Sequence, residues 1–309
     1  MSTLGDLLAE HTVLPGSAVD HLHAVVGEWQ LLADLSFADY LMWVRRDDGK
    51  VVCVAQVRPN TAATVLLADA VGTLANTEDL PIVAAAFESG VIGGAKFEGR
   101  DGSPGLSVEA VPVRHGSRVV AVLTHQTSLA PRQSSPLETA YVDCAGDLLH
   151  MLSEGTFPNV GDLAMSRSSP RVGDGFIRLD ETGLVTYASP NAISAYHRMG
   201  LAAELESHNL VSVTRPLISD PFEAQELANH VRDSLAGGSS MRMEVDAGGA
   251  AVLLRTLPLV INGASVGAAV LIRDVTEVKR RDRALLSKDA TIREIHHRVK
   301  NNLQTVAAL

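Results

Sequence analysis

The chain has 309 residues, of which 46% are hydrophobic, and its formal net charge at pH 7 is −10. This length suggests about two domains, and the hydrophobic content is sufficient for their cores. A membrane-spanning helix needs about 18 consecutive apolar residues, and neither such a run nor a basic-then-apolar signal peptide is present. The sequence therefore predicts a cytoplasmic protein without a membrane span, and its negative charge argues against nucleic acid as a direct partner.

The two cysteines, Cys53 and Cys144, are too few for a disulfide framework and are expected to stay reduced in the cytosol. Cys144 shares the apolar side of a predicted helix with Tyr141 and Leu148, which indicates a core residue. Cys53 lies in a predicted strand, and a single thiol without neighbouring cysteines gives little support to a redox or metal sensor. We therefore predict no metal site.

Residues 1–152 are predicted to form one domain with the order helix, antiparallel sheet, helix. Apolar residues at helical spacing predict an opening helix over residues 17–35, and a closing helix is predicted over residues 136–152. Between them, Asp48-Gly49 and His115-Gly116 each separate two apolar runs, a pattern that is typical of antiparallel hairpins. The Gly-, Ala- and Asp-rich stretch 69–105 is predicted to be a surface loop, with a mobile loop over a ligand cleft as the alternative.

This order of elements resembles the GAF domains of sensor proteins. Residues 112–123, which read Pro-Val-Arg-His-Gly-Ser-Arg-Val-Val-Ala-Val-Leu, resemble the final strand pair of those domains. The likeness is one of pattern and includes no diagnostic motif. It implies an antiparallel sheet, flanked by helices, that binds a small effector such as a cyclic nucleotide, and no residue identifies the effector.

Residues 153–173 are predicted by composition to be a linker, and residues 174–276 are predicted to be a second domain. Two short strands joined by an Asp-Glu-Thr-Gly turn precede a helix whose start carries Ser189, Pro190 and Asn191. Three later strands are predicted over residues 241–245, 251–258 and 265–273.

This second pattern resembles a PAS domain, in which Asn191 corresponds to the asparagine that follows the second strand. Asp274-Val-Thr276 resembles the motif that connects PAS domains to an output helix. Asp274 and Thr276 are expected to hydrogen-bond the free amides at the start of that helix, so that a shift of the last strand rotates or tilts the helix. An ordinary cap without a switching role is the alternative. His197 and His208 are candidate haem ligands, but both are expected to lie at the surface.

Residues 277–309 are predicted to form a helix that pairs with a second copy of the chain. Five apolar residues lie seven apart, which is the spacing of a coiled coil: Val278, Leu285, Ile292, Val299 and Val306. Polar residues at other seam positions, namely Arg281, Lys288 and Asn302, predict a weak or signal-sensitive coil, and a solvated single helix is the alternative. In this register His297 points away from the seam into water, whereas His296 flanks the seam.

Residues 294–304 read Glu-Ile-His-His-Arg-Val-Lys-Asn-Asn-Leu-Gln. This segment resembles the phosphoacceptor box of bacterial sensor histidine kinases in the branch related to the HWE kinases. The resemblance implies that His297 is phosphorylated, with His296 as the alternative, and that Glu294 polarises the imidazole. Arg298 and Lys300 are expected to offset the charge of the phosphate.

The predicted fold is therefore α+β, with two tandem antiparallel-sheet sensor domains, GAF-like and then PAS-like, followed by a helical dimerisation segment. This order resembles the actinobacterial phosphorelay-dependent antiterminator kinases. The resemblance implies a homodimer, phosphorylation from ATP bound by a domain outside this chain, and a response regulator with an RNA-binding ANTAR output domain. The apolar repeat still runs at Leu309, which suggests a longer protein. A non-catalytic ligand-binding scaffold with a vestigial histidine box is the alternative function.

Overall fold

The computed structural model describes residues 3–99, 104–130, 134–158 and 169–282, together with positions 284, 285, 288 and 292. These residues form helices and two antiparallel sheets, one in each half of the chain. The predicted α+β fold with two tandem antiparallel-sheet domains is therefore confirmed.

The first domain is a six-stranded sheet with helices packed on it. Its helices are α1 (Leu4–His11), α2 (Gly16–Ser36), α3 (Pro81–Ser89) and α4 (Pro136–Glu154). Its strands are β1 (Asp39–Arg45), β2 (Val51–Val57), β3 (Leu74–Ala75), β4 (Gly93–Phe97), β5 (Leu106–His115) and β6 (Arg118–Ser128). The strands lie side by side in the order β3-β2-β1-β6-β5-β4. The predicted chain order of helix, antiparallel sheet and helix is present, and the two long helices, α2 and α4, pack on the same face of the sheet.

The two predicted hairpins are present. One turn joins β1 to β2 at Gly49, and another joins β5 to β6 at Gly116. These glycines have φ angles of 81° and 61°, a left-handed conformation that glycine adopts without steric cost. The turn residues therefore determine where the strands reverse.

The prediction that residues 69–105 form a loop is wrong for α3, β3 and β4, which lie inside this stretch. Helix α3 begins with Pro81 and ends at Gly90, which caps it with a φ of 63°. Its alanines are strong helix formers, so their abundance indicates helix rather than loop. Strand β4 pairs with β5 at the edge of the sheet, where a glycine-rich and largely exposed strand shows no apolar alternation.

The second domain is a five-stranded antiparallel sheet with helices packed on it. Its strands are β7 (Phe176–Leu179), β8 (Val185–Ala188), β9 (Met241–Ala247), β10 (Ala250–Ile261) and β11 (Ala264–Asp274), and its helices are α5 (Pro190–Arg198), α6 (Leu210–Thr214) and α7 (Pro221–Leu235). The strands lie side by side in the order β8-β7-β11-β10-β9. All five predicted strands and the helix that begins after Ser189 are confirmed.

After β11 the chain is helical at residues 276–282 and at positions 284, 285, 288 and 292, and we call this segment the output helix. Among the helices that the structure describes, none combines the length and the apolar character that crossing a bilayer requires.

Both faces of the second sheet are buried. One face packs on α5 and α7 through a cluster that includes Ile177, Leu254 and Val270. The opposite face contributes to the cluster that also contains buried residues of α2 and α4, and its members there are Phe176, Leu257, Leu259, Ala269 and Leu271. The two domains therefore share one hydrophobic core.

Ion pairs and aromatic contacts cross the same interface. Arg255 of β10 lies 3.0 Å from Glu28 of α2, and both side chains are buried. Arg178 of β7 lies 2.6 Å from Asp147 of α4. The ring of Phe176 meets that of Tyr141 edge-on, with centroids 5.0 Å apart. Helices α2 and α4 are thus attached to the second sheet by both polar and apolar contacts.

Candidate functional site: the junction with the output helix

The residues predicted to carry phosphoryl chemistry lie outside the described residues, and these are Glu294, His296, His297, Arg298 and Lys300. Their predicted roles stay predictions. The predicted coupling residues Asp274 and Thr276 are described, and they lie where β11 ends and the output helix begins. This junction is the candidate site whose geometry is known.

Asp274 connects three elements. Its Oδ1 accepts hydrogen bonds from the backbone N–H of Thr276 at 2.8 Å and from the hydroxyl of the same residue at 2.5 Å. Its Oδ2 is 3.0 Å from Nε of Arg198, at the end of α5. A carboxylate at a helix start satisfies free amides and suits the helix dipole. Asp274 therefore ties the first turn of the output helix to β11 and to α5.

Thr276 attaches the helix to the neighbouring strand. Its Oγ1 accepts a hydrogen bond of 2.9 Å from the backbone N–H of Ala251, at the start of β10. The backbone N–H of Val275 donates to the carbonyl oxygen of Ala251 at 2.8 Å. The sequence predicts that Thr276 bonds free helix amides, but its hydroxyl reaches the strand, because the pairing of Val252 with Asp274 brings Ala251 beside it.

Lys279 fastens the first turn of the helix to β9. Its Nζ binds the carboxylate of Glu244 and lies 3.5 Å from Oδ1 of Asp246. The hydrogen bond to Glu244 raises the pKa of Lys279 above its ordinary value. The sequence analysis does not predict this contact, because the predicted strand ends at residue 245, whereas β9 continues to Ala247 and so places Glu244 and Asp246 on one face.

The turn between β9 and β10 packs against the end of α5. Gly248 has a φ of +58°, and a Cβ at this position would lie 2.4 Å from the carbonyl oxygen of Met199. The turn and the start of the output helix border a cleft of about 360 Å³, lined by Ser219, Asp246, Gly248, Ala251, Thr276 and Lys279. Both β9 and β10 therefore contact the first turn of the output helix directly.

Comparison with family models identifies both ends of the chain. A model described as "Histidine kinase PdtaS, GAF domain" matches residues 4–145. A model described as "Histidine kinase" matches residues 294–309, which contain the predicted phosphoacceptor. The first match supports the GAF-like interpretation of the six-stranded domain.

Similar proteins extend the likeness over the whole chain. The chain is 81% identical over 313 residues to "Sensor histidine kinase PdtaS" of Mycolicibacterium smegmatis and 74% identical over 315 residues to the protein of that name in Mycobacterium tuberculosis. The matches cover 100% of this chain, which spans 63% of the length of each relative. A solved structure, "Sensor region of a sensor histidine kinase", is 68% identical with a TM-score of 0.82, over 90% of this chain and 100% of that one.

The chain belongs to the PdtaS family of sensor histidine kinases.

In this PdtaS-family chain, the other candidate groups lie apart from the junction. Burial raises the pKa of the Cys53 thiol to about 12 and that of Cys144 to about 12, which disfavours a reactive thiolate at either position. His197 and His208 are exposed, as expected. Over the described ranges, no three His, Cys, Asp or Glu side chains are grouped as a metal site would require. The chemistry that the junction offers is hydrogen bonding and ion pairing.

Proposed function

We propose that this chain is the signal-receiving region of a cytoplasmic two-component histidine kinase. In the full-length protein, His297 takes phosphate from ATP bound by a separate domain and passes it to an aspartate of a response regulator. That regulator is proposed to carry an RNA-binding ANTAR output domain. Membership of the PdtaS family and the match of residues 294–309 to a histidine kinase model support the proposal.

The observation that carries the proposal is an exposed apolar stripe on the output helix. Val278, Leu285 and Ile292 lie seven apart and are 51%, 60% and 51% exposed. A helix that leaves a heptad stripe open to solvent is suited to pairing, and the proposed partner is a second copy of the chain.

In that dimer His297 occupies an outward heptad position, where both an ATP-binding domain and a response regulator have access to it. Arg298 and Lys300 offset the charge of the phosphate, and Glu294 polarises the imidazole. Upstream, a small effector binds the first domain, and Asp274 and Thr276 transmit its effect to the output helix.

Incubation of the full-length protein with labelled ATP tests this function. We expect His297→Gln to abolish labelling and His296→Gln to retain it. Loss of label only in His296→Gln would move the acceptor by one residue. An unlabelled parent would favour the non-catalytic scaffold with a vestigial histidine box.

A further inference from the structure

Strand β10 contacts both the first domain and the output helix. Arg255, near its middle, pairs with Glu28 of the first domain, and Ala251, four residues earlier, holds Val275 and Thr276. Four residues of extended chain span about 13 Å. We propose that β10 transmits the state of the first domain to the output helix, with the Glu28–Arg255 pair as its input. This inference rests on the proposed sensor function and specifies its route.

The input pair is unusual for a contact between two domains. Interfaces between domains are ordinarily small and polar, whereas the side chains of Glu28 and Arg255 are only 9% and 4% exposed. Removing an ion pair from water costs free energy, and apolar residues of similar volume stabilise a fold at least as well. Stability alone therefore does not account for the pair. It fixes α2 and β10 in one relative position, and Arg255 Nε also donates to Ser240 Oγ at 3.4 Å.

Helix α2 is in turn attached to the segment that covers the other face of the first sheet. Asp34, which is buried, accepts a hydrogen bond of 2.6 Å from the backbone N–H of Asn60. Leu66, a few residues later, packs against the cluster that contains Trp43 and Cys53. A change on that face of the sheet therefore alters the position of the segment and, through Asp34, that of α2.

Asp34 and Glu28 belong to the same helix and line the same cleft as Arg255. This cleft, of about 370 Å³, lies between the domains. When the part of α2 that bears these two carboxylates moves, the Arg255 side chain therefore moves with it, because Glu28 binds Arg255 directly. Because β10 is paired on both sides, with β9 and with β11, it moves as part of a ladder and carries Ala251 with it.

A mutant cycle measured by hydrogen exchange tests the route in this chain. Asp34→Asn perturbs the input, and exchange in the peptide covering residues 276–282 reports the output. In the parent we expect Asp34→Asn to accelerate this exchange about fivefold through local opening. With Glu28→Leu and Arg255→Met, which replace the ion pair by apolar side chains of similar combined volume, we expect the acceleration to fall below about twofold.

A second interdomain pair provides the matched control. Asp147→Asn removes the negative charge that pairs with Arg178 on β7, a strand that pairs with β8 and β11 and not with β10. In that background the fivefold effect of Asp34→Asn is expected to persist. If the double apolar variant does not fold, Glu28→Gln alone replaces it, since this change keeps the side-chain shape.

Either of two results overturns the route: an undiminished effect of Asp34→Asn in the apolar variant, or no effect of Asp34→Asn in the parent. The exchange measurement does not depend on kinase activity. An unlabelled full-length protein in the ATP experiment would therefore remove the proposed function while leaving the mechanical result to stand by itself.

Discussion

Single residues hold the output helix by two different kinds of contact. Thr276 makes a part-buried hydrogen bond with the backbone of β10, whereas Lys279 makes ion pairs with side chains that are 45% and 61% exposed. Ion pairs near solvent contribute little because water and salt screen them. The neutral hydrogen bond of Thr276 is therefore expected to hold the helix more strongly than the charged contacts of Lys279.

Thr276→Val tests this ranking. The change keeps the shape of the side chain but leaves the N–H of Ala251 without its acceptor, which costs about 1 kcal/mol or more in the free energy of unfolding. Thr276→Ser retains the hydroxyl and serves as the control. Urea denaturation measures both variants, and equal stabilities for Val and Ser would show that the hydrogen bond contributes nothing.

The contribution of Lys279 is expected to depend on pH. Its pKa in the folded state is raised above the ordinary value of 10.5, so the pairing stabilises the fold below about pH 10.5 and is lost as the pH rises through the folded-state pKa. The difference in unfolding midpoint between the parent and Lys279→Gln should therefore be present near neutral pH and shrink at strongly alkaline pH. Lys50→Gln, which removes an exposed lysine in the β1–β2 turn, is the control. A midpoint difference that grew with pH would contradict the assignment.

Elements with a strong local signal were predictable from the sequence, and elements that depend on tertiary contacts were not. Asp48-Gly49 specifies a hairpin by itself, and Pro190 after Ser189 specifies a helix start. Strand β4 has no such signal, because its pairing with β5 comes from the rest of the sheet. The apolar residues on both sides of Arg255 in β10 indicate a strand that is buried on both faces. The sequence does not indicate which helices cover those faces, because that depends on the tertiary structure.

The same division applies to the candidate site. The Asp-Val-Thr motif located the junction, since its residues are adjacent in sequence. The partners of that motif, Arg198 and Ala251, come from two separate elements and have no sequence pattern that joins them to it.

The output helix gives a prediction at the scale of a whole element. In the proposed dimer, burying Leu285 in the seam would contribute about 2 kcal/mol per chain, so that its loss from both chains would weaken the dimer about a thousandfold. We expect Leu285→Asp to make the chain monomeric in sedimentation equilibrium. Ala290→Asp changes an outward heptad position and should leave the dimer intact. Equal effects of the two substitutions would place the interface elsewhere.

On the scale of the whole molecule, the shared core makes the two domains one folding unit. Phe176 and Leu259 belong to the second domain by chain position, but they are buried in the same cluster as Leu32 and Leu148 of the first. Separating the domains would expose this cluster and leave the charges of Glu28 and Arg255 unpaired. The second domain is therefore expected to lose its structure when the first one unfolds, and the first when the second does.

Two adjacent substitutions measure this coupling, because both tryptophans of the chain, Trp29 and Trp43, lie in the first domain, and Trp43 is buried in a cluster made only of residues of that domain. Phe176→Ala removes a ring that touches Tyr141 and costs about 3–5 kcal/mol. Ile177→Ala faces the opposite cluster, on the side of α5 and α7, and costs about 2–5 kcal/mol. If the domains unfold together, both variants lower the midpoint seen by tryptophan fluorescence, and circular dichroism gives the same midpoint. The opposite result would be an unchanged fluorescence midpoint in Ile177→Ala together with a separate, earlier transition in circular dichroism. That result would mean that the second domain unfolds independently and that the interface does not couple the stabilities of the two domains.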